Sequence, residues 1–97
     1  MVEQGDVIFV SAIDTPLLVV SKNVYNQSGF AVVCPILKKK ASDLCTECAW
    51  KTGKGFAQSD NLRLLNLHNR SYSIKGNVGM ANLLCVLSCI SAIFDIV

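Results

Sequence analysis

The sequence is short of charge. Only 16% of its 97 residues are Asp, Glu, Lys or Arg against 52% hydrophobic, which excludes a disordered or heavily solvated chain. The opening residues, Met1-Val-Glu-Gln-Gly-Asp6, carry acid where a secretory leader carries base, and no cleavage pattern follows. The most apolar stretch, Ala81 to Phe94, has no charge but only 14 residues, short of the ~20 that cross a bilayer, so it reads as a buried helix. No internal repeat, low-complexity tract or linker interrupts the chain. Its length suits a single domain, residues 1–97, with one modest core. A cytosolic protein with no membrane segment is expected, and its apolar surplus predicts self-association through a covered patch.

Charge is uneven along the chain. Residues 38–75 hold eight of the nine bases and carry a net +5, with −2 before them and −1 after. A basic middle of this kind suits a phosphate backbone or an acidic partner segment, or else is a solvated face of long lysines. Five cysteines invite a metal reading, because Cys45 and Cys48 have C-x-x-C spacing and Cys85 and Cys89 stand one helical turn apart. Yet 44–50 reads as a strand, where positions three apart point to opposite faces and the two sulfurs diverge. Cys34, Cys85 and Cys89 lie among Val, Leu and Ile, as small core residues do. No metal, cofactor or disulfide is expected.

Short β-branched and aromatic runs dominate the first 78 residues. Strands are expected over 6–13 and 16–21, with Asp14-Thr15-Pro16 as the turn, then a loop or short turn over 22–29. A third strand begins at Phe30 and is ended by Pro35. Segments 44–50 and 55–67 read as a hairpin joined at Lys51-Thr-Gly-Lys54. A last strand spans 71–78, with Tyr72, Ile74 and Val78 on one face. Five to seven such strands predict a mostly β (α+β) fold, a small barrel closed by a C-terminal helix over 80–96. Leu83, Leu84, Leu87, Ile90, Ile93, Phe94 and Val97 follow the helical stripe, and Cys85, Val86, Cys89 and Ile96 widen it. Asn82, Ser88, Ser91 and Asp95 leave only a thin polar edge. Such a helix needs a second copy against it, or else barrel loops wrapped around it.

In this order the segments resemble the MazF/PemK family of toxin–antitoxin toxins. The family's opening Arg-Gly-Asp strand is matched by Gln4-Gly5-Asp6-Val7-Ile8-Phe9-Val10, and its Arg-Pro strand by Thr15-Pro16-Leu-Leu-Val-Val-Ser21. Val24-Tyr25-Asn26-Gln27 and Cys34-Pro35-Ile36-Leu37 follow in place. The family signature is similar to Gly55-Phe-Ala-Gln-Ser-Asp60-Asn61-Leu62-Arg63-Leu64-Leu65-Asn66. The resemblance covers nearly the whole chain. It implies an SH3-like barrel, usually dimeric, that cleaves single-stranded RNA and is blocked by an antitoxin.

Metal-free RNA cleavage needs a base for the 2′-hydroxyl, an acid for the leaving 5′-oxygen and a cation at the crowded phosphate. By the resemblance, Asp60, Arg63 and Thr15 fall at catalytic positions, and Lys22, Asn61, Lys38, Lys39 and Arg70 are candidates to hold substrate. Several parts depart from the pattern. The long loop before the second strand is shortened by about ten residues, Thr15 replaces an arginine, Leu37 a threonine, and Gln58 an arginine of some members. Asp60 is either a catalytic carboxylate or an acceptor that fixes a turn or dimer seam. Arg63 mostly organises structure in the family, and His68, the only histidine, reads as surface. Lys22, Lys38–Lys40 or Arg70 can lend charge but not the bidentate fork of an arginine. Three functions follow: a working or weakened endoribonuclease, a module binding RNA or an antitoxin-like peptide, or a structural subunit pairing through its last helix with an active relative.

Overall fold

In the computed structural model of the protein, residues 1–94 are described; the expectations placed on Asp95, Ile96 and Val97 lie outside the described residues. The β-rich first part forms seven strands: β1 (Asp6–Val10), β2 (Leu17–Val19), β3 (Phe30–Leu37), β4 (Cys45–Trp50), β5 (Gly53–Gln58), β6 (Arg63–Asn66) and β7 (Tyr72–Asn77). A short helix α1 (Asn23–Asn26) and a 3₁₀ turn (Leu67–Asn69) interrupt them, and α2 (Gly79–Ile93) follows. All pairings are antiparallel, in the order β4-β5-β3-β2-β1-β7, with β6 also on β3. The sheet curls into a half-barrel, as the alternating apolar runs predict.

β3 is the pivot. One edge pairs with β2; the other pairs first with β6 over Phe30–Val33 and then with β5 over Ile36–Leu37. Alternation along the strands sends side chains into two cores. Ile8, Val10, Leu17, Val19, Ala31, Val33 and Leu65 fill one. Val7, Leu18, Cys34, Ile36, Cys48 and Ala57 fill the other, beneath Leu83 and Val86 of α2.

Six local expectations are corrected. Pro35 does not end the third strand but sits inside it, opposite Leu17. Successive N–H groups of a strand point to opposite edges. Ile36 donates to the Pro16 carbonyl (2.9 Å) on the β2 edge, so the missing Pro35 N–H faces the gap between β6 and β5. The expected strand 55–67 is two strands. Buried Ser59 donates its N–H to Leu44 (3.0 Å), Asn61 turns back to Gln58 (3.1 Å), and the chain leaves β4 to rejoin β3.

Part of the expected loop 22–29 is helical because Asn26 is a buried clasp. Its Nδ2 donates to the Ser21 carbonyl (3.0 Å), its Oδ1 accepts from the Ser21 hydroxyl, and that hydroxyl accepts from Val32 N–H (2.9 Å). The α2 stripe is narrower than the sequence suggests. Leu83 and Val86 are buried and Leu87 and Ile90 partly so, whereas Met80, Leu84, Ile93 and Phe94 are exposed at 68%, 55%, 39% and 69%. Cys85 is likewise exposed rather than a core residue. On β7, Tyr72 packs against the core of Ile8 and Val33 but Ile74 is exposed. A bulge at Lys75 shifts the register, and Val78 joins the other core. Among the described residues no helix is long and apolar enough to cross a membrane.

Candidate functional site

The connection from β1 to β2 is a tight turn. Ile13 donates its N–H back to Val10 (3.1 Å), and Ala12 takes a positive φ of 71°. Thr15 follows, half-buried. Extending the register of Leu17 on Pro35 places Thr15 beside Leu37, at the sheet end from which the exposed Lys38, Lys39 and Lys40 emerge. Lys40 lies 4.0 Å from Asp43, both exposed, and such a pair contributes little.

Asp60 and Asn61 sit in the β5–β6 turn, on the opposite flank of β3 from Thr15. Asp60 is exposed, and among the described residues its carboxylate holds no hydrogen bond or ion pair. That leaves it free to meet an incoming group, and no turn-fixing contact is made by its side chain. Arg63 is exposed on β6, opposite Val33. Gln58, at the position of an arginine in some relatives by resemblance, is 3% exposed and turns its amide inward to the Phe56 carbonyl (2.9 Å). It has no access to a phosphate.

Lys22 and Arg70 lie at the other end of β3, beside α1 and the 3₁₀ turn. Arg70 lines an open concavity of about 690 Å³ with Phe30, Leu64, Asn66 and Asn69. Phe30 and Leu64 are 38% and 59% exposed, a signal visible in the sequence only as apolar residues out of phase with their strands' inward positions. His68 is tied down: its Nε2 donates to the Ser28 carbonyl (3.1 Å), which fixes the tautomer. Gly29 (φ +91°) lies under the ring, where a Cβ would sit 1.8 Å from that nitrogen. Phe30 and Leu37 are separated by roughly 23 Å of strand. The expected residues therefore form three groups: Thr15 with Lys38 and Lys39, Asp60 with Asn61 and Arg63, and Lys22 with Arg70. Lys22 and Arg70, a strand's length from Thr15, Lys38 and Lys39, do not share one phosphate with them.

Other motif residues hold the frame. Asp6 is buried and accepts from Glu3 N–H (2.8 Å) and Asn77 Nδ2 (3.0 Å), while Asn77 Oδ1 receives Gly79 N–H (2.8 Å) at the start of α2. Gly5 takes φ +93° against that asparagine. Gly5-Asp6 thus joins β1 to the β7–α2 junction, a role that composition alone does not reveal. Burial pushes the Cys34 thiol up to about 12 and the Cys48 thiol up to about 11, helped in each case by a neighbouring thiol.

No protein-family model and no curated protein matches this sequence. Solved structures do match in shape. A chain of the MazE–MazF crystal structure (Form-I) from Deinococcus radiodurans has a TM-score of 0.85 at 20% identity, covering 95% of this chain and 94% of that one. An endoribonuclease in complex with its cognate antitoxin from a mycobacterial species gives 0.80 at 16% identity, covering 95% and 93%. MazF alone (Form-I) from Deinococcus radiodurans gives 0.77 at 17% identity, covering 95% and 94%. At these identities the likeness is one of fold, and the chain, a half-barrel followed by a terminal helix, has the MazF fold.

Proposed function

We propose that this chain, acting as one domain in the cytosol, is a MazF/PemK-type toxin of a toxin–antitoxin system. Its activity is metal-independent cleavage of single-stranded RNA, weakened by the loss of two catalytic parts. What carries this reading is the likeness to MazF over 95% of the chain together with an exposed, unengaged Asp60 at the signature turn. Asp60 serves as the acid or base, Asn61 and Arg63 order the strand beside it, and Lys38 and Lys39 supply charge near Thr15. Lys22 and Arg70 hold more distant phosphates of an extended strand. The weakening has a physical cause: threonine brings no charge where the pentacovalent phosphate needs a cation, and one missing donor typically costs about 10²–10³ in rate.

A homodimer fits the exposed Met80, Leu84, Ile93 and Phe94 of α2. An acidic antitoxin peptide is the expected partner, by likeness to neighbours solved as MazE–MazF or with a cognate antitoxin. A second reading, a binding module without catalysis, is favoured by the absence of any cation paired with Asp60 among the described residues.

Asp60→Ala separates the two. Cleavage of mixed-sequence single-stranded RNA in EDTA is expected to fall at least about 10²-fold, within the range for removing a group that acts on the transition state. Stability should change by less than about 0.5 kcal/mol, since the side chain is exposed and unbonded. An unchanged rate removes Asp60 from the chemistry, and no cleavage by the unaltered protein favours the binding module.

A further inference from the structure

The cysteines of β4 and α2 have no part in RNA chemistry, yet α2 packs on β4 and carries Cys85 close enough to Cys48 to act on its charge. Thr46 and Cys48 point to the same side of β4, about 6.6 Å apart along the strand. Cys85 and Cys89 stand one turn apart, about 6.0 Å along α2. Thr46 Oγ1 lies 3.9 Å from Cys89 Sγ, which fixes one rung between strand and helix. With matched spacings, the next rung pairs Cys48 with Cys85. Cys48 is packed in the same core cluster as Leu83 and Val86, the helix residues on either side of that rung. The charge of a Cys85 thiolate is also among the influences that raise the Cys48 thiol.

We propose that Cys48 and Cys85 are a modification site, a thiol pair that a peroxide joins into a disulfide stapling α2 to β4. Exposure sets the order of events. Cys85 is exposed whereas Cys48 is 1% and Cys34 0% exposed, so the oxidant meets Cys85 first. The Cys85 thiolate attacks one peroxide oxygen; the O–O bond breaks, a sulfenic acid forms, and hydroxide leaves to become water. The Cys48 sulfur then attacks the Cys85 sulfur; the S–S bond forms, the S–O bond breaks, and the departing hydroxide takes the Cys48 proton. Two thiols lose two electrons and hydrogen peroxide gains them, giving two waters. Burial holds Cys48 protonated, with its thiol at about 11, so it acts as the resolving thiol rather than as the sensor.

The test is treatment of the purified protein with hydrogen peroxide, alkylation of free thiols, digestion and mass spectrometry. A Cys48–Cys85 linked peptide is expected as the main intramolecular product, reversed by dithiothreitol, with a rise in Tm of roughly 10 °C. Cys85→Ser, a change at an exposed position, should abolish both, and Cys89→Ser should leave both. The proposal is overturned if Cys48 instead joins Cys34, if only intermolecular bonds form, or if Cys85 proceeds to sulfinic acid while Cys48 stays free for alkylation. None of these readouts involves RNA, so the proposal stands or falls apart from the nuclease reading.

Discussion

Gly55→Val is expected to unfold the protein or to cost at least about 3 kcal/mol, a large part of the ~5–15 kcal/mol that holds a small domain together. At Gly55 a single added Cβ would lie 2.6 Å from Ile36 Cγ2 and 2.8 Å from the Leu37 carbonyl oxygen. The first neighbour is a packed core side chain and the second is backbone, so neither yields cheaply. Relief requires β5 to withdraw from β3, which breaks the pairing of Ala57 with Ile36 and of Phe56 with Leu37. The β4–β5 hairpin would move with it, because Gly55 is also the partner of Cys48 beneath α2. Urea unfolding followed by circular dichroism reads the loss directly. A midpoint within about 1 kcal/mol of the unaltered protein would mean that β3 and β5 are not packed this closely. The opening glycine of the signature is thus explained by space, and the Asp60 turn depends on it because β5 leads into that turn.

The second large effect concerns the rim around Thr15. Thr15→Arg is expected to raise RNA cleavage about 10²-fold, the lower end of what one transition-state donor contributes. The position is suited to the change. Thr15 stands beside Leu37 at the end of the sheet, next to Lys38, and precedes Pro16, whose carbonyl is locked by Ile36 N–H at 2.9 Å. An arginine there would project from a fixed backbone and offer two N–H groups to one phosphate, which the neighbouring lysines cannot do. Thr15→Lys should recover less, because a point charge lacks the fork. Initial rates on a labelled single-stranded RNA in EDTA measure the gain. If neither variant exceeds the unaltered protein, the scissile phosphate does not lie at this rim, and Asp60 and Thr15 do not share a substrate across β3.

Much of the architecture was legible in sequence, and the failures have physical reasons. Val7-Ile8-Phe9-Val10 and a hairpin after Trp50 appear as expected because local alternation determines them, although the connection is Lys51-Thr52 alone and Gly53 and Lys54 already belong to β5. A proline reads as a stop, and only the handover of β3 from β6 to β5 makes Pro35 harmless in mid-strand. Segment 55–67 reads as one continuous strand because the burial of Ser59 and its bond to Leu44 are tertiary facts. On α2 the apolar residues were visible, but which of them face the sheet was not: Val86 is fully buried while Leu84 is exposed, and nothing in composition separates them.

The candidate site was legible in residue types and not in grouping. Asp60, Arg63, Lys38 and Arg70 are exposed as surface chemistry requires, yet β3 spreads them along its length and across both flanks. Asn26, Asp6 and Gly5 match the family's motifs by resemblance, and the structure gives them framework work through buried hydrogen bonds.

The weakened nuclease, and the binding module if its ligand is RNA, require that the scattered cations hold an RNA backbone. Binding of a fluorescein-labelled single-stranded RNA, followed by anisotropy between 50 and 200 mM salt, reads this most directly. Three phosphate contacts imply a loss of affinity of roughly tenfold or more over that range, with a smaller slope in Lys38→Ala/Lys39→Ala. Affinity that is absent at low salt, or that does not change with salt, would contradict an RNA-handling role for this fold.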